Sequence, residues 1–322
     1  MKQRIVCLIL ALILTLSGCA SFKHSAPNAA PEEDGVMIVA TTYPVYLFAN
    51  AVADGVEGVR VERLNTGEAS CLHDYTLSVD DMKKLEQADV IVMNGAGLED
   101  FMEDALATSS ALVIDCSQGV ELLENLAYDH EDGEEGDRHD YDHDHERWDP
   151  HIWMDPANAA VMVENIQAGL AQADPDHAEV YLQNGEGAVQ ELKTWDSAAK
   201  ELLAEQGSPE IIGLITFHDG FQYFARAYGL PLLAAIEEEA GSEASAKEIQ
   251  EMTKLVEEQK LPVIFTEVNG SDATAQAIAR ETGCQVAQLT MMMDGPDSAL
   301  SNYGDDLMKN IQTILNGFQV TP

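Results

Sequence analysis

Short apolar runs alternate with helix-patterned stretches along most of this chain, and that alternation is the strongest constraint on its fold. Val36–Thr41, Val59–Leu64, Val90–Met93 and Ala111–Ile114 are apolar segments of strand length, three of them rich in valine and isoleucine. Between them Tyr46–Asp54 and Ser78–Ala88 read as helices, the second with Ser78 placed to cap it and Asp80 and Asp81 in its first turn. The pattern resumes with strands at Ile211–Thr216, Leu230–Ala235, Pro262–Thr266 and Gln285–Leu289. Helices are expected at Phe221–Tyr228, Ser245–Gln259, Asp272–Thr282 and Ala299–Asn316, and Ser245-x-x-Glu248 has the form of a capping box. Strands separated by helices predict parallel sheets whose crossovers cover both faces. The chain reads as α/β, with an N-terminal lobe over 36–175 and a C-terminal lobe over 207–322.

One helical segment follows Asp155-Pro156 and runs to about Ala173, where Asp174-Pro175 breaks it. A second helical pattern fills the linker at 176–206. Such a helix would be about 45 Å long at 1.5 Å per residue, enough to act as a stiff connector between two lobes. Asn184-Gly185-Glu186-Gly187 is its expected weak point.

The first residues set the compartment. Lys2 and Arg4 precede an apolar run from Ile5 to Leu16, which ends in Leu16-Ser17-Gly18-Cys19. A membrane-spanning helix needs roughly 20 apolar residues, so this run reads as a signal peptide over 1–18. The four closing residues have the form of a lipobox, in which Cys19 becomes the lipid-carrying N-terminus. Residues 19–35 then form a flexible tether, and the mature protein is expected on the outer face of the cell membrane. A formal net charge of −40 argues against nucleic acid as a partner, because phosphates would be repelled. The same charge attracts cations, although screening confines its field to about 8 Å. Cys71, Cys116 and Cys284 match neither a disulfide scaffold nor a zinc finger, and a Cys71–Cys116 pair stays open.

Three histidines stand out by position. His73 follows the second candidate strand and His218 follows the fifth, where ligands of open parallel sheets collect. His151 lies in Trp148-Asp149-Pro150-His151-Ile152-Trp153, a stiff stretch just before a helix. A single histidine at a strand end is more often a hydrogen-bonding residue than a ligand, whereas three at equivalent rims suggest a shared site. On the residues alone both readings stay open. His130, His139, His143 and His145 lie among carboxylates in the segment 129–146, which reads as a solvated linker with weak secondary metal binding.

Several blocks in order resemble one family. Leu72-His73-Asp74-Tyr75 with Asn94-Gly95-Ala96-Gly97-Leu98-Glu99, then Asp149-Pro150-His151-Ile152-Trp153, then Phe217-His218-Asp219-Gly220-Phe221, and last Phe265-Thr266-Glu267 with Ile278–Gly283 are similar to the metal-binding solute-binding lipoproteins of ABC transporters. The resemblance implies two α/β lobes joined by one long helix, with a metal ion held between them by His73, His151 and His218. A histidine at position 218 and a His-rich acidic loop imply the zinc branch rather than the manganese branch. The chain departs from the family after its last strand, where a carboxylate ligand is usual. Thr290 stands there, followed by Met291, Met292, Met293 and Asp294. The fourth ligand is then Asp294, Glu267 or water, and the methionines are packing residues or soft ligands of the kind that suit Cu(I).

The resemblance implies a zinc receptor that delivers Zn2+ to an ABC permease and its ATPase subunit, and not an enzyme. Alternatives are a manganese or other transition-metal receptor of the same family, an exported zinc-dependent hydrolase and an adhesin with a structural metal. No H-E-x-x-H pair and no P-loop pattern is present.

Overall fold

Two four-stranded parallel sheets carry the molecule, and each is wound in the same order. A computed structural model describes residues 35–64, 75–126, 147–237, 244–268 and 270–319. In the first sheet β1 (Val36–Ala40), β2 (Val59–Arg63), β3 (Val90–Met93) and β4 (Leu112–Asp115) lie in the order β2-β1-β3-β4. In the second, β5 (Leu214–His218), β6 (Leu232–Glu237), β7 (Val263–Glu267) and β8 (Gln285–Leu289) lie in the order β6-β5-β7-β8. Both sheets reverse their winding beside the first strand, between β1 and β3 and between β5 and β7. Crevices at the carboxyl ends of strands open at such switch points.

Alternation of side chains along the strands divides the core into layers. Ile38, Ala40, Val90 and Val92 from the first sheet and Leu214, Val263, Phe265 and Leu289 from the second enter one continuous cluster with the helices between them. Met37, Val39 and Ile91 face a separate outer cluster, as do Ile215, Phe217 and Ile264 on the other side. Because the sheets share the central cluster, Gly35–Pro322 forms one compact unit rather than two loosely tethered halves.

Helices follow their caps. In α1 (Tyr43–Ala53) the Thr42 hydroxyl accepts from the Val45 amide and Pro44 occupies the first turn, so the helix begins three residues before the expected Tyr46. The helix α2 (Val79–Gln87) carries a reciprocal capping box between Ser78 and Asp81. A six-residue helix, α3 (Glu103–Thr108), precedes β4 and has no side-chain cap.

The connector is built from α4 (Pro156–Ala173), capped by Asp155, and α5 (Ala178–Leu203). Asp174 stabilises the corner between them by accepting from His177 Nδ1 at 2.7 Å and from the Tyr181 hydroxyl at 2.9 Å. The 26 residues of α5 continue unbroken through Asn184–Gly187. Gly185 is there for packing: a Cβ would run into the Gln167 side chain on α4, so only glycine lets the two helices approach this closely. The second lobe continues with α6 (Gln222–Tyr228), α7 (Ala246–Gln259), which carries the Ser245/Glu248 capping box, α8 (Ala273–Thr282) and α9 (Ser301–Gln319). Cys116 is a free buried thiol and Cys284 a free half-buried one, while Cys71 lies outside the described residues.

Candidate metal centre

His151 sits in a short 3-10 turn ahead of α4, locked by its neighbours. The Asp149 carboxylate accepts from the His151 amide at 2.9 Å, and its same oxygen lies 2.7 Å from His151 Nδ1. The Tyr223 hydroxyl on α6 donates to the Asp149 carbonyl at 2.9 Å and accepts from the Leu123 amide at 3.0 Å. From the first lobe, Asn94 Nδ2 donates to the Pro150 carbonyl at 2.9 Å. Three consecutive residues are therefore tied to both lobes, and His151 is 6% exposed. With Nδ1–H donating to Asp149, the lone pair of His151 lies on Nε2. Burial alone would lower the imidazole pKa, but the Asp149 charge and hydrogen bond, helped by Asp219 and Glu267, outweigh it and raise the value.

Asn94 is held in its turn by Glu99. One Glu99 oxygen accepts from the Asn94 amide at 2.7 Å and from the Thr41 hydroxyl at 2.6 Å, while the other accepts from the Gly95 amide at 2.9 Å. Gly95, Ala96 and Gly97 all adopt positive φ, which curls this turn around the carboxylate. Burial pushes the Glu99 pKa up to about 7, against the lowering effect of those three donors.

His218 ends β5 and is 2% exposed. Its Nε2 lies 3.0 Å from His151 Nε2, with the two rings nearly perpendicular at 89°. Nitrogens bound to one tetrahedral zinc at 2.0–2.1 Å stand about 3.3 Å apart, so an opening of a few tenths of an ångström suits this pair to a shared ion. Behind His218, Nδ1 lies 3.8 Å from Glu267 Oε1 at the end of β7. Each imidazole thus has a carboxylate on its Nδ1 side and directs Nε2 at the other ring. Gly220 lies against both: a Cβ there would come within 2.8 Å of His218 Cδ2 and 3.1 Å of His151 Cδ2 and would collide with the Met291 methyl.

The other expected residues are placed as follows. Glu267 is buried beside His218, whereas Asp294 is half exposed, 3.9 Å from Arg63, and accepts from the Gly295 amide. Thr290 uses its hydroxyl to accept from the Met292 amide and exchanges backbone hydrogen bonds with the Asn310 side chain. His73, the loop histidines His130, His139, His143 and His145, and Cys19 lie outside the described residues. Among the described residues no group of three or more His, Cys, Asp or Glu side chains is gathered closely enough to hold a metal ion. Nor, among them, is any helix long and apolar enough to cross a membrane.

Asn94, Glu99 and Asp149 stand within the sequence motifs, yet the motifs alone give them no role. A carboxylate two residues before a candidate ligand is a usable signal for Asp149, since ligating imidazoles commonly donate their other nitrogen to one.

Comparisons with known proteins agree with this layout. The zinc-binding lipoprotein AdcA of Streptococcus pneumoniae is 29% identical over 311 residues, covering 94% of this chain and 60% of its own length. The chain therefore spans about 60% of the curated AdcA relatives it matches. The iron-binding protein YfeA of Yersinia pestis is 27% identical over 95% of this chain and 94% of its own. Among solved structures, a ZnuA deletion mutant with zinc bound superposes with a TM-score of 0.72 at 27% identity, covering 90% of this chain and all of that one. A model of the periplasmic component A of zinc-uptake complexes matches residues 38–317, and the chain belongs to that family.

Proposed function

We propose that this protein is an extracytoplasmic zinc receptor that captures Zn2+ between its lobes and hands it to an ABC permease driven by its ATPase subunit. The observation that carries the reading is the buried His151–His218 pair, with Nε2 atoms 3.0 Å apart and a carboxylate on the Nδ1 side of each ring. His73 is the third ligand in this reading, and Glu267 serves as an outer carboxylate for His218. Cys19 carries the lipid anchor, and the loop at 129–146 collects ions weakly through His130, His139, His143 and His145. Family membership and the zinc-binding relatives support zinc, while the iron-binding relative makes metal competition part of the test.

The rings suggest how capture proceeds. Asp149 fixes His151 with its Nε2 lone pair exposed, so before the ion binds that nitrogen accepts the His218 Nε2–H. When the cation arrives, that proton shifts to His218 Nδ1, where the Glu267 carboxylate lies. Both Nε2 lone pairs then face one ion. Because the loop bearing His151 is bonded to both lobes, binding stabilises the packed arrangement by mass action rather than creating it.

Titration with Zn2+ against a competing chelator tests the reading. Total binding free energies at structural zinc sites are on the order of 10–16 kcal/mol, so loss of one of three ligands weakens binding by several kcal/mol. His73→Ala, His151→Ala and His218→Ala should each show that loss. Parental affinity in any of the three removes that residue from the site. Deleting residues 129–146 should abolish the weak sites and leave the tight one. Turnover of ester or peptide substrates by the zinc-loaded protein would favour the hydrolase reading instead.

A further inference from the structure

The carboxylates seen against the two imidazoles leave the Nε2 side of the centre to other donors. Asp149 and Glu267 both stand on the Nδ1 sides of their imidazoles, and Asp294 lies half exposed beside Arg63. The group that reaches the other side is Met291. The point where Gly220 lacks a Cβ is shared by His218 Cδ2 at 2.8 Å, His151 Cδ2 at 3.1 Å and, nearest of all, the Met291 methyl. Cδ2 is the ring carbon next to Nε2, so the Met291 methyl and the ring edges that carry the facing nitrogens border the same space beside Gly220.

The backbone around Met291 is held in a way that ordinary packing would not require. Trp153 Nε1, from the turn that bears His151, donates to the Met291 carbonyl at 2.8 Å. The Thr290 hydroxyl accepts from the Met292 amide at 2.9 Å, and Met292 has φ of +59°. A non-glycine residue in the left-handed region costs on the order of 1–2 kcal/mol, and such strain collects at binding sites. Among the described residues only two others share it: Lys260 at a helix end, and Ala96 in the turn that surrounds Glu99. Met291 itself is 6% exposed, so its sulfur is shielded from bulk water.

We propose that Met291 is a specificity-determining residue of this centre, and that with His151 and His218 it forms a binding site for a soft monovalent cation, Cu(I), in addition to zinc. The proposal rests on the reading of His151 and His218 as ligands. Its chemistry is a match of softness: a neutral thioether and two imidazoles suit Cu(I), whereas Mn(II) prefers oxygen donors. A neutral thioether also adds no negative charge to the donor set, which weakens divalent hard ions most.

The test uses the full mature chain stripped of metal, with Cu(I) under reducing conditions, Zn2+ and Mn2+ each titrated against a competing chelator. Parent and Met291→Leu are compared, since leucine keeps the volume and removes the sulfur. The parent should bind one Cu(I), and Met291→Leu should lose about tenfold or more of that affinity while zinc affinity changes by less than about threefold. X-ray absorption of the Cu(I) form should show a sulfur neighbour that disappears in Met291→Leu. Met291→Glu should restore a hard donor and raise Mn2+ affinity. Unchanged Cu(I) affinity in Met291→Leu, or equal losses for copper and zinc, would overturn the proposal and leave Met291 as packing. Zinc binding by the parent without any Cu(I) binding would also overturn it while leaving the receptor reading intact. Absence of zinc binding in the parent would instead count against the receptor reading, and the copper and X-ray results would still decide the role of Met291.

Discussion

The two sheets are wound alike but equip their rims differently. The described part of the first rim carries Thr41, Asn94 and Glu99, which bind one another and then the Pro150 carbonyl. The second rim carries His218 and Glu267 at strand ends, with Met291 just beyond β8. Among the described residues, the first lobe therefore uses its switch point to hold a loop, and the second uses its own to present a donor directly. His151 belongs to the held loop and is fixed by bonds from three places, whereas His218 inherits its position from the strand ladder. Symmetry of fold does not bring symmetry of role. The strand order supplies two crevices, and the residues at each decide which crevice positions and which presents.

The difference predicts unequal sensitivity of the two imidazoles to their carboxylates. Asp149 contacts His151 Nδ1 at 2.7 Å and also holds its amide, while Glu267 stands 3.8 Å from His218 Nδ1. Asp149→Ala should weaken zinc by about 10–100-fold, the usual range for an outer-shell partner, and Glu267→Gln by less than about tenfold. Chelator competition on both variants measures the contrast. Equal losses would break it and would make Glu267 a direct ligand.

A smaller effect is expected from the first rim, and it appears in stability. Glu99 is fully buried and its pKa is raised from 4.5 to about 7. A raised carboxyl pKa means that the folded state keeps a proton which the unfolded chain has released. The stabilising contribution is then full below pH 4.5 and is lost as pH rises through about 7. At 1.36 kcal/mol per unit the swing is at most about 3 kcal/mol. Denaturant melts between pH 5 and 8 should show the parent losing stability by that order and Glu99→Gln nearly flat over the same window. A parent as flat as the variant would remove Glu99 as the titrating group.

Fold and site were legible to different depths for physical reasons. Inner strands such as Val90–Met93 are legible because parallel strands buried on both faces are continuous apolar runs. Strand β6 lies two residues later than the expected Leu230–Ala235, since Pro231 cannot donate to a ladder and serves through its carbonyl to Leu214 instead. The helix α3 was missed because six residues without a side-chain cap leave no periodic trace. For the site, strand-end position singled out His218 and local stiffness singled out His151. That they meet at Nε2 depends on packing between segments 67 residues apart, which no local pattern encodes. The role of Glu99 was hidden for a related reason, since two of its three donors are backbone amides.

The least effect should come from Asp294, and its smallness is informative. The sequence leaves the fourth ligand open between Asp294 reaching back, Glu267 and water. The structure separates the two carboxylates by environment. Glu267 is 6% exposed and faces His218, whereas the Asp294 side chain is 54% exposed, with its contacts to Arg63 and the Gly295 amide. An ion pair at 3.9 Å with that exposure contributes about 0–1 kcal/mol to stability, and a carboxylate already solvated gains little by leaving water for the centre. Asp294→Ala should therefore leave zinc affinity within about twofold of the parent and lower stability by less than about 1 kcal/mol. The two values come from chelator competition and from denaturant melts at constant pH. A tenfold or larger loss of zinc affinity would show that the turn from Thr290 to Asp294 rearranges on binding. In that case the second rim would present an oxygen donor in the place that the Met291 thioether takes here.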